Sequence, residues 1–196
     1  MNEIDHLVYA TPDVDATVAE LSGRLGVRAA VGGRHPGRGT RNALIGLGPR
    51  CYLEIVGPDA EQAAPAGPRW FLIDELSSAR LVAWAVRSDS LAELPGLGPI
   101  VSGSRQRPDG QLLAWRFTDP MVRVAGGVMP FLIDWGSGPH PADLLPREIR
   151  LLELRLEHPE PAALNAALSA VGFTVHAGPR PKVSATLETP RGTVVL

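Results

Sequence analysis

Cysteine and lysine are almost absent from this chain: Cys51 and Lys182 are the sole residues of their types. A single cysteine permits no intrachain disulfide, so a fold stapled by disulfide bridges is excluded. On a strand such a residue is ordinarily a small buried hydrophobe. No Gly-x-Ser-x-Gly elbow is present, and no Gly-Lys-Ser/Thr closes the glycine-rich stretch, so covalent serine chemistry and nucleotide-phosphate binding have no support. No apolar run approaches the roughly 18 to 20 residues that cross a bilayer. The N-terminal segment carries Glu3, Asp5 and His6, unlike a signal peptide. The expectation is a cytoplasmic protein that engages no membrane. The formal net charge of −2 offers no basic face for nucleic acid. Arginine supplies nearly all the positive charge, which a GC-rich coding sequence accounts for, as it does the abundance of Ala, Gly and Pro.

Hydrophobic residues make up 44% of the 196 positions, enough for a core of ordinary size. Ile4 to Ala10 reads as a strand apolar on both faces, as in a sheet covered on each side. Thr11 suits a helix N-cap and Pro12 the first helical position. Val14, Val18, Leu21 and Leu25 then form one apolar stripe, and Gly26 is placed to end that helix. Val27 to Val31, Ala43 to Leu47 and Cys51 to Val56 read as strands. Between the first two lies Gly32 to Asn42, too rich in glycine for regular structure. This unit has the order β-α-β-β-β.

Residues 58–79 read as a linker, within which Arg69 to Ala79 is ambiguous: Trp70, Phe71, Ile73 and Leu76 fit a short helix or an ordered connector. The order then restarts with Leu81 to Arg87, a short helix from Ser88 to Leu94, and strands at Ile100 to Arg107, Leu112 to Phe117 and Met129 to Trp135. Asp109-Gly110 is a strong hairpin signal. A third unit begins at Leu151 and reads as a strand, a helix from Pro161 to Val171, and three more strands. The expected division is therefore 1–57, 80–136 and 151–196, the last truncated, with 137–150 as connector. Repetition of one unit constrains the fold more than any single motif. The expected class is α+β: repeated β-α-β-β-β modules whose curved mixed sheets form a cup-shaped cavity.

On a strand, residues two apart share a face, so His6 lies with Ile4, Val8 and Ala10, and Glu54 with Tyr52 and Val56. If the two strands are neighbours, an imidazole and a carboxylate meet over one sheet. Arginine forks suit carboxylates and phosphates, which makes Arg34 and Arg38, with Asn42, candidates to orient an anionic substrate. His35 beside them is a candidate general acid or base. Trp115 and Trp135 are candidates for an aromatic pocket. Trp135 and Asp134 occupy opposite faces of one strand and cannot both point into a cup unless a bulge intervenes.

A histidine early in the first strand and a glutamate in the fourth, within tandem β-α-β-β-β units, resemble the vicinal oxygen chelate superfamily. Its members include glyoxalase I, extradiol dioxygenases, some epimerases and bleomycin-binding proteins. Gly32 to Leu44 followed by Tyr52-Leu53-Glu54, with Pro130 to Trp135 and His140-Pro141, is similar to its glyoxalase-like domain group. The resemblance implies a divalent metal (iron, manganese, nickel or zinc) on His6 and Glu54, with Asp134 or His140 completing the shell. It implies a lyase, isomerase or dioxygenase acting on a small oxygenated or anionic metabolite; Glu54, and His35 from the reading of the residues above, are the catalytic candidates. Ala83 stands where the second module's first-strand ligand would be, and this incomplete ligand set favours the alternative of a metal-free protein that sequesters a small molecule. Pairing of modules between chains in the superfamily makes a homodimer an expectation.

Overall fold

Seventy residues separate strands that nonetheless lie side by side, because the first two units close on each other into one barrel. The computed structural model describes residues 4–89, 91, 97–168 and 172–196. The first unit comprises β1 (Ile4–Ala10), α1 (Val14–Leu25), β2 (Ala30–His35), β3 (Thr40–Gly48) and β4 (Cys51–Pro58). The second supplies β5 (Arg80–Arg87), β6 (Ile100–Gln106), β7 (Leu112–Thr118) and β8 (Phe131–Asp134). Strand order round the barrel is β1-β4-β3-β2-β6-β7-β8-β5. Within each unit the first strand runs parallel to the last, β1 to β4 and β5 to β8. The seam between β1 and β5 is long, from Ile4 opposite Val86 to Ala10 opposite Arg80. The seam between β2 and β6 has a single paired position, Arg34 opposite Gln106.

β1 is apolar on both faces because both are covered. Val8 and Ala10 point into the barrel with Leu44, Tyr52, Val56 and Phe131. Leu7 and Tyr9 point outward, where Leu21 and Leu25 of α1 pack with Leu53 and Ile55. Leu21 is fully buried, and truncating such a side chain to alanine costs about 2–5 kcal/mol. The helix is capped by Asp13, whose carboxylate accepts from the Ala16 amide at 3.0 Å. Thr11, expected as the cap, instead places its hydroxyl 2.7 Å from that of Thr17 and accepts from the Asp13 amide. Gly26 ends the helix at φ 76° with its amide donating to Ser22 O, the left-handed position that favours glycine.

Three further expectations are corrected. The glycine-rich stretch from Gly32 is regular: β2 and β3 form a hairpin through Pro36 to Gly39, with His35 opposite Thr40. The linker is partly core, its ambiguous segment taking the short-helix form. A 3₁₀ segment, Trp70–Glu75, places Trp70, Phe71 and Ile73 inside the barrel's apolar cluster. Phe71 and Leu72 have φ of 62° and 53°. Arg69 latches this plug, donating to Gly39 O at 2.9 Å and pairing with Asp74. The third unit has the expected chain order, β9 (Arg150–His158), α2 (Pro161–Leu168), β10 (Val175–Ala177), β11 (Lys182–Thr189) and β12 (Gly192–Val195). Its pairing differs, because β9 lies between β10 and β11 in an open sheet ordered β10-β9-β11-β12. That sheet buries Leu156, Val183 and Leu187 in the outer core with Trp84 of β5. The helix expected at Ser88 to Leu94 and the last turn of the one expected to reach Val171 lie largely outside the described residues. Among those described, no helix is long and apolar enough to cross a membrane.

Candidate active site

Inward-facing positions of β1, β3, β4 and β6 bring a polar cluster into an otherwise apolar barrel. β1 and β4 are parallel neighbours with His6 opposite Tyr52 and Val8 opposite Glu54. The His6 imidazole stacks on Tyr52, ring centres 4.7 Å apart, and its Nε2 lies 3.9 Å from Glu54 Oε2. His35 approaches from β2, its Nε2 3.8 Å from Glu54 Oε1. The carboxylate of Glu54 thus lies between two imidazoles, and all three residues are buried.

Asn42 holds this arrangement together. Its amide nitrogen donates to Glu54 Oε1 at 2.6 Å and lies 3.4 Å from His35 Nε2. Its carbonyl accepts from Arg105 Nη1 at 3.3 Å, which fixes the amide's orientation. With Nε2 accepting from Asn42, the His35 proton resides on Nδ1 and is donated to Thr40 Oγ1 at 2.9 Å. Burial, partly offset by the charge of Glu54, pushes the His35 pKa down to about 4, so the ring is neutral near pH 7. Burial also raises the Tyr52 hydroxyl well above its ordinary value, with Asp5 and Glu54 adding to the effect.

A second group lies behind His6. Asp5 is fully buried and accepts from His6 Nδ1 at 2.7 Å, His140 Nε2 at 3.0 Å and Trp135 Nε1 at 3.1 Å. Arg87 Nε is 3.5 Å away. Burial opposes ionisation of Asp5, but the hydrogen bonds from His140 and His6 outweigh it and hold the carboxyl far below the usual carboxylate range. A bulge between Ile4 and His6 permits this. It sends Ile4 to the outer core instead of the inner face shared by His6 and Val8, and lets two consecutive side chains meet. Since His6 Nδ1 donates to Asp5, its Nε2 lone pair faces the cavity.

The cavity between these groups is about 30 Å³, room for one or two waters, and aromatic rings wall it. Trp115 and Trp135 both line it, 5.2 Å apart, as do Trp70, Phe71 and Phe131. Trp115 spreads over Gly103 of β6, where a Cβ would come within 2.5 Å of the indole.

Other expected site residues lie elsewhere. Phe131, Ile133 and Trp135 face the cavity, so Asp134 faces away, its carboxylate accepting from the Gly136 amide at 2.7 Å. His140 is buried beside the cluster, but both ring nitrogens are committed: Nδ1 accepts from the Ala142 amide at 3.1 Å and Nε2 donates to Asp5. Arg34 turns outward to Asp59 and Glu61. Arg38 sits 4.7 Å above the Trp70 ring. Asn42 is the expected substrate contact from this stretch that does face the cavity. Among the described residues, no group of three or more His, Cys, Asp or Glu is placed to hold a metal ion: His6, His35 and Glu54 come together, but His35 Nε2 is already engaged by the Asn42 amide at 3.4 Å. The donor set therefore does not fit a resident divalent cation. His6 and Glu54 face one another, but one oxygen of Glu54 is taken by Asn42, and Arg105, not a further ligand, lies beyond it.

A family model described as glyoxalase-like domain matches residues 4–172. No curated protein sequence matches this one. Among solved structures, a hypothetical protein from Staphylococcus aureus has a TM-score of 0.66 at 10% identity, covering 93% of this chain and 88% of its own. Methylmalonyl-CoA epimerase from Streptomyces coelicolor, in complex with 2-nitronate-propionyl-CoA, covers 71% of this chain and 98% of its own at 18% identity and TM-score 0.45. The same enzyme from Mycobacterium tuberculosis covers 67% and 86% at 19% identity and TM-score 0.42. Two four-stranded units closed around one cup, in a chain that matches the glyoxalase-like model, place the protein in the vicinal oxygen chelate class. Within it, the chain belongs to the glyoxalase-like domain family.

Proposed function

We propose that this protein is a glyoxalase-like enzyme of the isomerase or lyase type, moving a proton on a small oxygenated, anionic metabolite. The observation that carries this reading is the buried Glu54 carboxylate between His6 Nε2 and His35 Nε2, with one oxygen held by Asn42. Glu54 Oε2, the oxygen Asn42 leaves free, is the base that takes a proton from carbon next to a carbonyl. His6 Nε2 is placed to relay that proton, because Asp5 keeps the His6 proton on Nδ1. Arg105 supplies positive potential where negative charge develops on the substrate oxygen. No step is routed through a metal, since the donor set does not fit one. The barrel closes within one chain, so the reading requires no second copy.

The test is proton exchange. Small 2-oxo and 2-hydroxy acids are incubated with the protein in deuterium oxide, and loss of the C–H signal is followed by NMR. Exchange by the wild type, reduced at least about 100-fold in Glu54→Gln, supports the reading. Exchange that chelator abolishes and a divalent metal restores would return His6 and Glu54 to the role of metal ligands. An acid that binds tightly yet never exchanges would overturn catalysis and leave the metal-free sequestering protein.

A further inference from the structure

Behind the wall of the active-site cavity, at the short seam between β2 and β6, lies a trough of about 260 Å³ open to solvent. Its lining is mainly apolar and includes Val31, Leu44, Leu113, Leu144 and Leu145. Val31 and Leu144 at its rim are 76% and 73% exposed, unusual for large aliphatic side chains sharing one concavity. Arg105 lines both the trough and the cavity. Gly32 lies in the wall between them, where a Cβ would come within 2.1 Å of Asn42 Oδ1 and 2.9 Å of Arg105 Nη1.

The charges on the trough are not equally available. Arg107 pairs with Asp109 at 3.4 Å. His140 has both nitrogens committed. Arg105 is only 5% exposed, and its buried Nε has no hydrogen-bond partner among the described residues. A buried, unanswered guanidinium donor is costly unless an acceptor arrives to meet it. An apolar trough lined by that guanidinium is complementary to an amphiphilic anion.

We propose that the trough and Arg105 form the subsite for an acid with an aliphatic tail, its carboxylate on Arg105 and its tail between Val31 and Leu144. This deepens the proposed function and rests on it for the substrate class: acids of short to medium chain, oxygenated next to the carboxylate. The subsite itself stands on binding alone. The tail covers the two exposed rim residues, and the carboxylate pairs with the guanidinium that lines the trough.

The experiment is calorimetric titration of the full chain with octanoate, butyrate and 1-octanol. Octanoate is expected to bind at least tenfold more tightly than either of the others, about 1.4 kcal/mol. Arg105→Met is expected to lower octanoate affinity at least tenfold and leave octanol unchanged. The paired change Val31→Gln and Leu144→Gln, at exposed positions that leave the fold intact, is expected to weaken octanoate and spare butyrate. Equal binding of octanoate and butyrate, octanol binding as tightly as octanoate, or no effect of the paired rim change would overturn the proposal. Octanoate binding that persists in Glu54→Gln separates this subsite from the catalytic reading, which can fail while the subsite stands.

Discussion

Asp5 and His6 are consecutive on one strand, yet their side chains meet: His6 Nδ1 donates to Asp5 Oδ1 at 2.7 Å with both groups buried. Alternation along a regular strand would send them to opposite faces. The bulge removes that restriction and gives His6 a partner that fixes its tautomer, as a carboxylate does behind many functional imidazoles.

Replacing Asp5 by asparagine offers Nδ1 an amide donor and moves the His6 proton to Nε2. Long-range ¹⁵N–¹H NMR of the ring nitrogens is expected to report that exchange of tautomers. Urea unfolding is expected to show a loss of about 2–4 kcal/mol, since three donors lose their charged acceptor. An unchanged tautomer would remove Asp5 from control of His6.

Trp135→Phe tests the same carboxylate from the other side. It removes the indole N–H that lies 3.1 Å from Asp5 Oδ2 while keeping an aromatic ring in the cavity wall. The expected cost is about 1–3 kcal/mol in chemical denaturation, the price of one unmatched buried acceptor bond.

His35 sets an acid limit on stability. Its pKa is about 4 in the folded protein against 6.5 for an unperturbed ring, so the unfolded chain binds more protons between those values. Stability from this group is complete above pH 6.5 and declines as pH falls toward 4, by up to about 3 kcal/mol. Asp5, whose acid is strengthened by its partners, adds a further decline below its ordinary 3.8. Unfolding free energies measured between pH 6.5 and 4 are expected to slope in the wild type and to flatten in His35→Asn. A slope of equal size in the variant would assign the effect to other groups.

Gly32→Ala is expected to destabilise by about 1–3 kcal/mol, because the new Cβ overlaps Asn42 Oδ1 and the neighbours must shift. Displacing Asn42 also releases Glu54 Oε1, so proton exchange should fall more steeply than stability alone explains. Thermal melts beside exchange rates separate the two effects.

The strand alternation that places His6 and Glu54 on one inner face was legible in the residues, as were the repeated unit and the hairpin at Asp109-Gly110. Two things hid the rest. Asp5 reads as an outward residue until the bulge is known, and bulges leave no pattern in a strand of seven residues. Arg105 carries no signal of its own on a serine- and glycine-rich strand, but Gly103, two positions before it, admits the Trp115 ring and marks the face as internal. The segment at Trp70 was legible as a short helix but not as a plug, for a different reason. Its left-handed Phe71 and Leu72 depart from every sequence preference, so only the closed barrel explains why Trp70, Phe71 and Ile73 are apolar.

A ring of strands is only as continuous as its weakest joint. One joint here is laced from Ile4 to Ala10, while the opposite one rests on the single pairing of Arg34 with Gln106. Two half-shells riveted on one side and barely clasped on the other behave as a bivalve. Amide exchange along β2 and β6 should then run far ahead of that along β1 and β5, and anything too large for the cavity of about 30 Å³ would pass between the valves on the clasped side.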